Sequence, residues 1–388
     1  MNFKRMLLVV TLALLATQPL FAKNQPNYAT SKLNDQVYVI TQIWNGNNNG
    51  NAGVVIGPNG VMLIGSLMAS SAPYLAQEIK KLTNKPIKFV INIDSDPYNH
   101  HANQYFAEQG ATIIAHENMR YEKAYTELLF KQQISIAMGN ETVTAYHSPT
   151  HQLNHIDVHL ENSNVIFMSD GFKGHWLTPH GPNGLKGVLE SFDKALELAN
   201  DKTIIVTGNT SKNPTHYVRD KATLIKVKQL HIDFTERVGT LYQKGMTAEQ
   251  IAQDDVINIL LKNFSAYSTA KRWIPDEIAM LLESDFIQPY PLTHAQLMNY
   301  TGNYLLDDGT KVEVLLEGNR LFARSPGSFM FELTAQSKEV FDFKAVQGKN
   351  QIRFNFSQAG HIQSLTTELE DNGWWASRIK AGTHIKQL

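Results

Sequence analysis

The sequence predicts an α+β chain: a layered sandwich of sheets and helices, a helical extension, and a separate C-terminal antiparallel β domain. Three observations carry that expectation. Phe89-Val90-Ile91 is a short apolar run, as a buried strand would be, and it ends in a polar loop from Asn92 to His101. Ala102 to Gln109 then reads as a helix that Gly110 stops, and Ala111 to Ala115 as a second buried strand, so a strand-helix-strand unit carries the loop. Beyond Pro289-Tyr290-Pro291, short alternating strands with glycine and Asp/Asn turns follow one another with no helix between them.

A chain of 388 residues, 43% hydrophobic and 18% charged, has the composition of a globular protein of two or three domains. Its formal net charge of −1 gives no electrostatic basis for capturing nucleic acid or an anionic membrane. At the N-terminus, Lys4 and Arg5 precede an apolar run from Met6 to Ala16, and Leu20-Phe21-Ala22 offers a cleavage point. Residues 1–22 therefore read as a signal peptide; the competing reading, an uncleaved anchor helix, needs a longer run. A periplasmic or secreted bacterial protein is expected, with no stable membrane span after cleavage. There is no cysteine, so any metal must be held by His, Asp or Glu.

Taken in order, residues 23–219 form the sandwich domain. Val37 to Thr41, Ala52 to Gly57 and Gly60 to Gly65 are short strands between Asn/Gly turns, followed by an amphipathic helix over Ala72–Leu82. Glu117 to Lys131 is read as another helix. Val143–Tyr146, Ile156–Leu160, Val165–Met168 and Thr203–Val206 are strands, with a helix over Gly184–Leu198. Residues 220–288 form the helical extension, with Thr247 as an N-cap and Pro275 opening a helix. Residues 289–388 form the small β domain, whose strands begin near Tyr300, Lys311, Arg320, Val340, Ile352 and Ile362.

The loop Asn92 to Asn103 resembles, without a gap, the metal-binding loop N-T-H-x-H-x-D-H-x-x-G-N of the metallo-β-lactamase-fold superfamily. Asp94 and Asp96 stand where that loop has its first two histidines, Tyr98 where it has aspartate, and Asn99 where it has its third histidine. Ser148-Pro149-Thr150-His151 resembles the family's second motif, with His151 in the ligand position and His155 in place of a later aspartate. Ser169-Asp170-Gly171 keeps the bridging aspartate. Gly208-Asn209-Thr210 stands where the last histidine belongs, and Gly65 where a supporting aspartate belongs. The C-terminal segment resembles the lipocalin-like module of secreted penicillin-recognising hydrolases.

The resemblance implies an αββα sandwich and a degenerate metal site. Asp94, Asp96 and His151, with Asp170 beside them, would hold one divalent ion such as manganese, iron or zinc, and Asp170 would take a proton from bound water. Tyr98, Asn99 and Asn209 are poor ligands, so a second metal is not expected. Trp44, in a glycine-rich loop, and His101, His175 and His180 are candidate contacts to a small-molecule substrate. Each has a bland alternative: Trp44 packs on its own hairpin, and the histidines are solvated. His100 and His101 could also rebuild a site with Asp96. The expected function is hydrolysis of an ester, lactone or amide bond. The alternative is a non-catalytic binding protein that keeps the fold and has lost the dinuclear site.

Overall fold

In the computed structural model of the chain, the described residues are 26–44, 47–121, 125–208, 218–306, 309–325, 330–344, 346, 348, 350–369 and 382–386. The expected signal peptide and Asn209 lie outside them.

The first sheet has seven strands in chain order: β1 (Asn27–Lys32), β2 (Val37–Trp44), β3 (Asn47–Ile56), β4 (Val61–Ile64), β5 (Ile87–Ile91), β6 (Thr112–His116) and β7 (Leu128–Phe130). The second holds β8 (Gln133–Ala137), β9 (Thr142–His147), β10 (Ile156–Leu160), β11 (Val165–Ser169), β12 (Ile204–Thr207) and β13 (Val218–Arg219), again side by side in chain order. Strands β1 to β4 pair antiparallel, each with the next. Strands β4 to β7 pair parallel, which requires crossovers long enough for the helical segments between them.

Apolar side chains on both sheet faces explain the layering. Val39, Met62, Ile64 and Ile91 of one sheet meet Val143, Ile156, Val158 and Phe167 of the other in a dry inter-sheet core. On the outer face of the first sheet, Val54, Leu63 and Val90 pack against Leu75 and Ile79 of the helix Ala72–Leu82. Each such side chain contributes roughly 1.5–3 kcal/mol when fully buried. Leu75→Ala would cost about 2–5 kcal/mol, since the cavity adds to the lost transfer term. On the far side, Ile166, Met168 and Ile205 pack against the helices Gly184–Leu198 and Lys221–Tyr242 through Val188, Phe192, Leu224 and Phe234. The layers therefore run α, β, β, α.

The helical extension follows its sequence signals. Asp220 caps the helix Lys221–Tyr242 by accepting from the Thr223 N–H, and Thr247 with Gln250 forms a capping box. Pro275 lies in the first turn of the helix Ile274–Leu281. The C-terminal β domain is a closed antiparallel barrel: β14 (Gly302–Leu305), β15 (Lys311–Glu317), β16 (Arg320–Arg324), β17 (Phe331–Ala335), β18 (Val340–Phe343), β19 (Asn350–Phe356), β20 (Ile362–Leu369) and β21 (Gly382–Lys386), with β14 pairing β21. Tyr304, Val312, Phe341, Ile352 and Phe354 fill its interior.

Three local expectations need correction. The stretch read as a helix from Glu117 to Lys131 is a 3-10 turn at Glu117–Tyr121 and then strand β7, which extends the parallel row by pairing with β6. The helix expected over Ala102 to Gln109 is shorter, Asn103–Ala107, and a separate turn at Pro97–His100 precedes it. The barrel contains two strands, β17 and β21, that its local sequence pattern does not announce. Among the described residues, no helix is long and apolar enough to cross a membrane.

Candidate metal centre

Loops at the carboxyl ends of β5, β9 and β11 meet at one place. The β5 loop delivers Asp94, Asp96, Tyr98 and Asn99, the β9 loop delivers His151, Gln152 and His155, and β11 ends in Ser169 and Asp170. Local backbone geometry sets the directions. Asp96 is extended and precedes Pro97, whose fixed φ starts a single helical turn that carries Tyr98. Ser169 takes a left-handed φ of +43° to turn Asp170 off the strand. At the end of β12, a Cβ on Gly208 would sit 2.5 Å from Asp170 Oδ1, so the close approach there requires glycine.

Asp96, His151 and Asp170 each present a ligand atom, and the three atoms lie within 4.8 Å of one another. Asp96 is fully buried. Its Oδ1 accepts from Gln152 Nε2 at 2.5 Å, and its Oδ2 lies 3.2 Å from His151 Nε2 and accepts from the Tyr98 hydroxyl at 2.6 Å. The same hydroxyl is hydrogen-bonded to Asp170 Oδ2. Burial, with the charges of Asp170, Asp96 and Asp94, holds the Tyr98 hydroxyl well above the usual tyrosine range, so it keeps its proton. A phenol carries one proton and serves one carboxylate at a time. Both contacts close together only if a carboxyl is protonated or a cation joins the cluster.

Asp94, expected beside Asp96 as a ligand, is in a different network. Its Oδ1 accepts from the Asp96 backbone N–H at 2.9 Å and from Asn99 Nδ2 at 2.7 Å, and its Oδ2 faces His155 Nδ1 at 3.3 Å. On its other side, His155 Nε2 lies 3.1 Å from the Met168 carbonyl and 3.5 Å from Asp157 Oδ1. Burial alone would push His155 down, but Asp157 and Asp94 outweigh it and lift the imidazole to about 10. The charge on Asp94 is thus answered by a buried imidazolium, where the resembling loop would have used a metal. Asn99 also donates to Ser169 Oγ at 3.2 Å, and Asn92 and Asn103 exchange side-chain amide hydrogen bonds beneath the loop.

The triad opens into a cavity of about 400 Å3. Of the expected substrate contacts, His101, His175 and His180 are not among its wall residues. His101 is exposed, with its ring edge-on to His100. His175 is buried and donates to the Lys173 carbonyl at 2.9 Å. His180 pairs with Asp285 at 2.8 Å and stacks on His231. Trp44 ends β2, paired with Asn47, and its side chain is outside the described residues. The walls come instead from Lys173, from Trp273, Glu277 and Met280 of the helical extension, and from Met330, Phe331, Lys344 and Val346 of the barrel. Apart from Lys173, which follows Asp170 closely in the chain, these lie a hundred residues or more downstream of the loops and carry no motif. Glu277 accepts from Trp176 Nε1 at 2.7 Å, and burial raises its carboxyl to about 7.

The donor set fits one divalent ion. Two carboxylates and an imidazole match a facial triad with open positions, suited to manganese, iron or zinc. An ion about 2.1 Å from each donor keeps any two donors within roughly 4.2 Å, so modest closure would complete the site. His151 Nδ1, the atom that usually anchors a ligating histidine from behind, has no hydrogen-bond partner among the described residues. Among the described residues, Tyr98 and Asn99 supply no second set of ligands.

No known family's sequence profile matches the chain, and no curated protein matches it in sequence. Solved structures do match in shape. A metallo-beta-lactamase from Pontibacter korlensis is 15% identical and aligns over 53% of this chain and all of its own, with a TM-score of 0.46. The DIM-1 metallo-beta-lactamase is 16% identical over 54% of this chain and 98% of its own, with a TM-score of 0.44. A double mutant of the sec-alkyl sulfatase PisA1 is 14% identical over 70% of this chain and 54% of its own, with a TM-score of 0.52. At such identities the likeness is one of fold: the chain joins an αββα sandwich of the metallo-β-lactamase type to a closed eight-stranded barrel.

Proposed function

We propose that this protein is a hydrolase that holds one divalent metal ion on Asp96, His151 and Asp170 and acts on an ester, lactone or amide bond of a small molecule. The observation that carries this reading is the convergence of those three ligand atoms in the lining of one cavity. A bound ion would polarise water and the scissile carbonyl. The chain's own groups supply the rest. Asp170 accepts the proton of the attacking water, and Gln152 fixes the orientation of Asp96. Once an ion answers the charges on Asp96 and Asp170, the Tyr98 hydroxyl, which keeps its proton, is free to donate to an oxygen that gains charge. Met280 and Phe331 give the lining an apolar part for the body of the substrate. The same proposal takes residues 1–22 as a cleaved signal peptide and the periplasm or medium as the working compartment. It takes the barrel as a substrate-shaping wall.

One observation favours a second reading. The single proton of the Tyr98 hydroxyl lies within hydrogen-bonding reach of both carboxylates and can be shared between them, which would let the cavity serve as a metal-free binding site. A panel of chromogenic esters, lactones and anilides, assayed after chelation and again after loading with manganese, iron or zinc, separates the two. Turnover that appears on loading and is abolished in Asp170→Asn supports the hydrolase. No turnover of any substrate under any loading supports the binding protein.

A further inference from the structure

The cavity has an acidic character that the triad does not use. Besides Asp96 and Asp170 it is lined by Asp276, Glu277 and Glu332, against two lysines, Lys173 and Lys344. Lys344 is paired with Glu332 at 3.7 Å, and Arg320 also binds that carboxylate. With Glu332 answered by Lys344 and Arg320, a divalent ion on the triad would leave Asp276 and Glu277 with one lysine, Lys173, in the cavity lining. Glu277 is the built feature of that lining. Trp176, itself buried, donates its indole N–H to Glu277 Oε1 at 2.7 Å, and Glu277 makes no other hydrogen bond among the described residues. Its second oxygen is left for the cavity. The same cavity is lined by Trp273, Met280 and Phe331, which are apolar and aromatic.

We propose that Glu277 is the specificity-determining residue of this cavity, and that its ligand is a protonated amine carried on an apolar body. The pairing is chemically matched. A carboxylate anchored by an indole N–H accepts from an ammonium group, while the methionine and aromatic surfaces bury the hydrocarbon. Burial makes the bare carboxylate costly, so Glu277 holds its proton to about pH 7, and an arriving cation supplies the counter-charge that lets it ionise. An anionic ligand of the same size would bring a second negative charge to Glu277 and be disfavoured by like-charge repulsion.

The inference rests on the cavity being the substrate site of the proposed hydrolase, but it is read by binding, so its failure and that of the hydrolysis reading are distinguishable. The probes are 4-phenylbutylamine, 4-phenylbutanol and 4-phenylbutyrate. They are titrated calorimetrically into the full chain at pH 7.5, once with chelator and once with manganese. The amine is expected to bind at least tenfold more tightly than the alcohol, with the carboxylate weakest, and Glu277→Gln to erase the amine's advantage. The conservative Glu277→Asp, which keeps the charge but shortens its reach, should retain part of that advantage. If the carboxylate binds as well as the amine, if none of the probes binds, or if Glu277→Gln leaves the order of affinities unchanged, the proposal falls.

Discussion

The hydroxyl of Tyr98 lies 2.6 Å from Oδ2 of Asp96 and also bonds the carboxylate of Asp170, so a phenol stands among groups that would otherwise grip a cation. In the frame the loop resembles, that position carries an aspartate. Exchanging an acid for a phenol removes one negative charge and adds one donor, which stabilises the remaining carboxylates in the absence of metal. Competition between the phenol's proton and a cation is the central property of this centre.

We predict that Tyr98→Phe destabilises the metal-free protein by about 1–3 kcal/mol, because two buried carboxylates lose a shared donor. Adding manganese should restore most of that loss, since the ion then answers the same charges. Thermal melts with and without metal measure both. Equal destabilisation in the two conditions would show that Tyr98 acts through packing alone.

His155→Asn should cost about 3–5 kcal/mol, the usual penalty for removing one partner of a buried ion pair, because Asp94 and Asp157 would be left without their imidazolium. Chemical denaturation measures it. A cost under 1 kcal/mol would mean that this network carries little charge.

The carboxyl of Glu277 gives a pH dependence of definite sign. Its folded value, raised to about 7, lies above its unfolded value of 4.5, so the folded state binds more protons between those limits. Its contribution is complete below pH 4.5 and is lost as pH rises through 7. Discounted for partial exposure to the cavity, the loss is roughly 2 kcal/mol. Stability measured across that interval should fall less in Glu277→Gln than in the wild type. Identical slopes would contradict the raised value.

Much of the sandwich was legible because its signals are local: apolar runs of strand length, Asn/Gly turns, and caps such as Thr247. The sequence placed Asp96, His151 and Asp170 in one loop cluster but could not rank Asp94 against Asp96. That choice is made by His155, which faces Asp94 from 61 residues away. It is also made by Gln152, whose hydrogen bond to Asp96 crosses 56 residues. The cavity walls were illegible for the same reason. Trp273, Glu277 and Phe331 meet the triad only because the extension and barrel fold over it, and nothing in their own neighbourhoods marks them. The helix expected through Leu128 and Leu129 failed because pairing with β6 overrides a helical pattern at a sheet edge.

Gly208→Ala tests the backbone of the site. Its methyl group would meet Asp170 Oδ1 at 2.5 Å and the Ser169 carbonyl carbon at 2.7 Å, so one of them must move. We predict at least tenfold weaker metal binding, with a stability loss of about 1–3 kcal/mol from overpacking. Unchanged metal affinity would show that Asp170 is not held where the structure has it.

Metal content per chain is the most direct test of the centre, measured by elemental analysis after loading and desalting of the wild type, Asp94→Asn, Asp96→Asn, His151→Ala and Asp170→Asn. One equivalent of divalent ion is predicted in the wild type and in Asp94→Asn, with loss in the other three. A wild type that retains no metal, or an Asp94→Asn variant that loses it as fully as Asp96→Asn, would contradict the assignment.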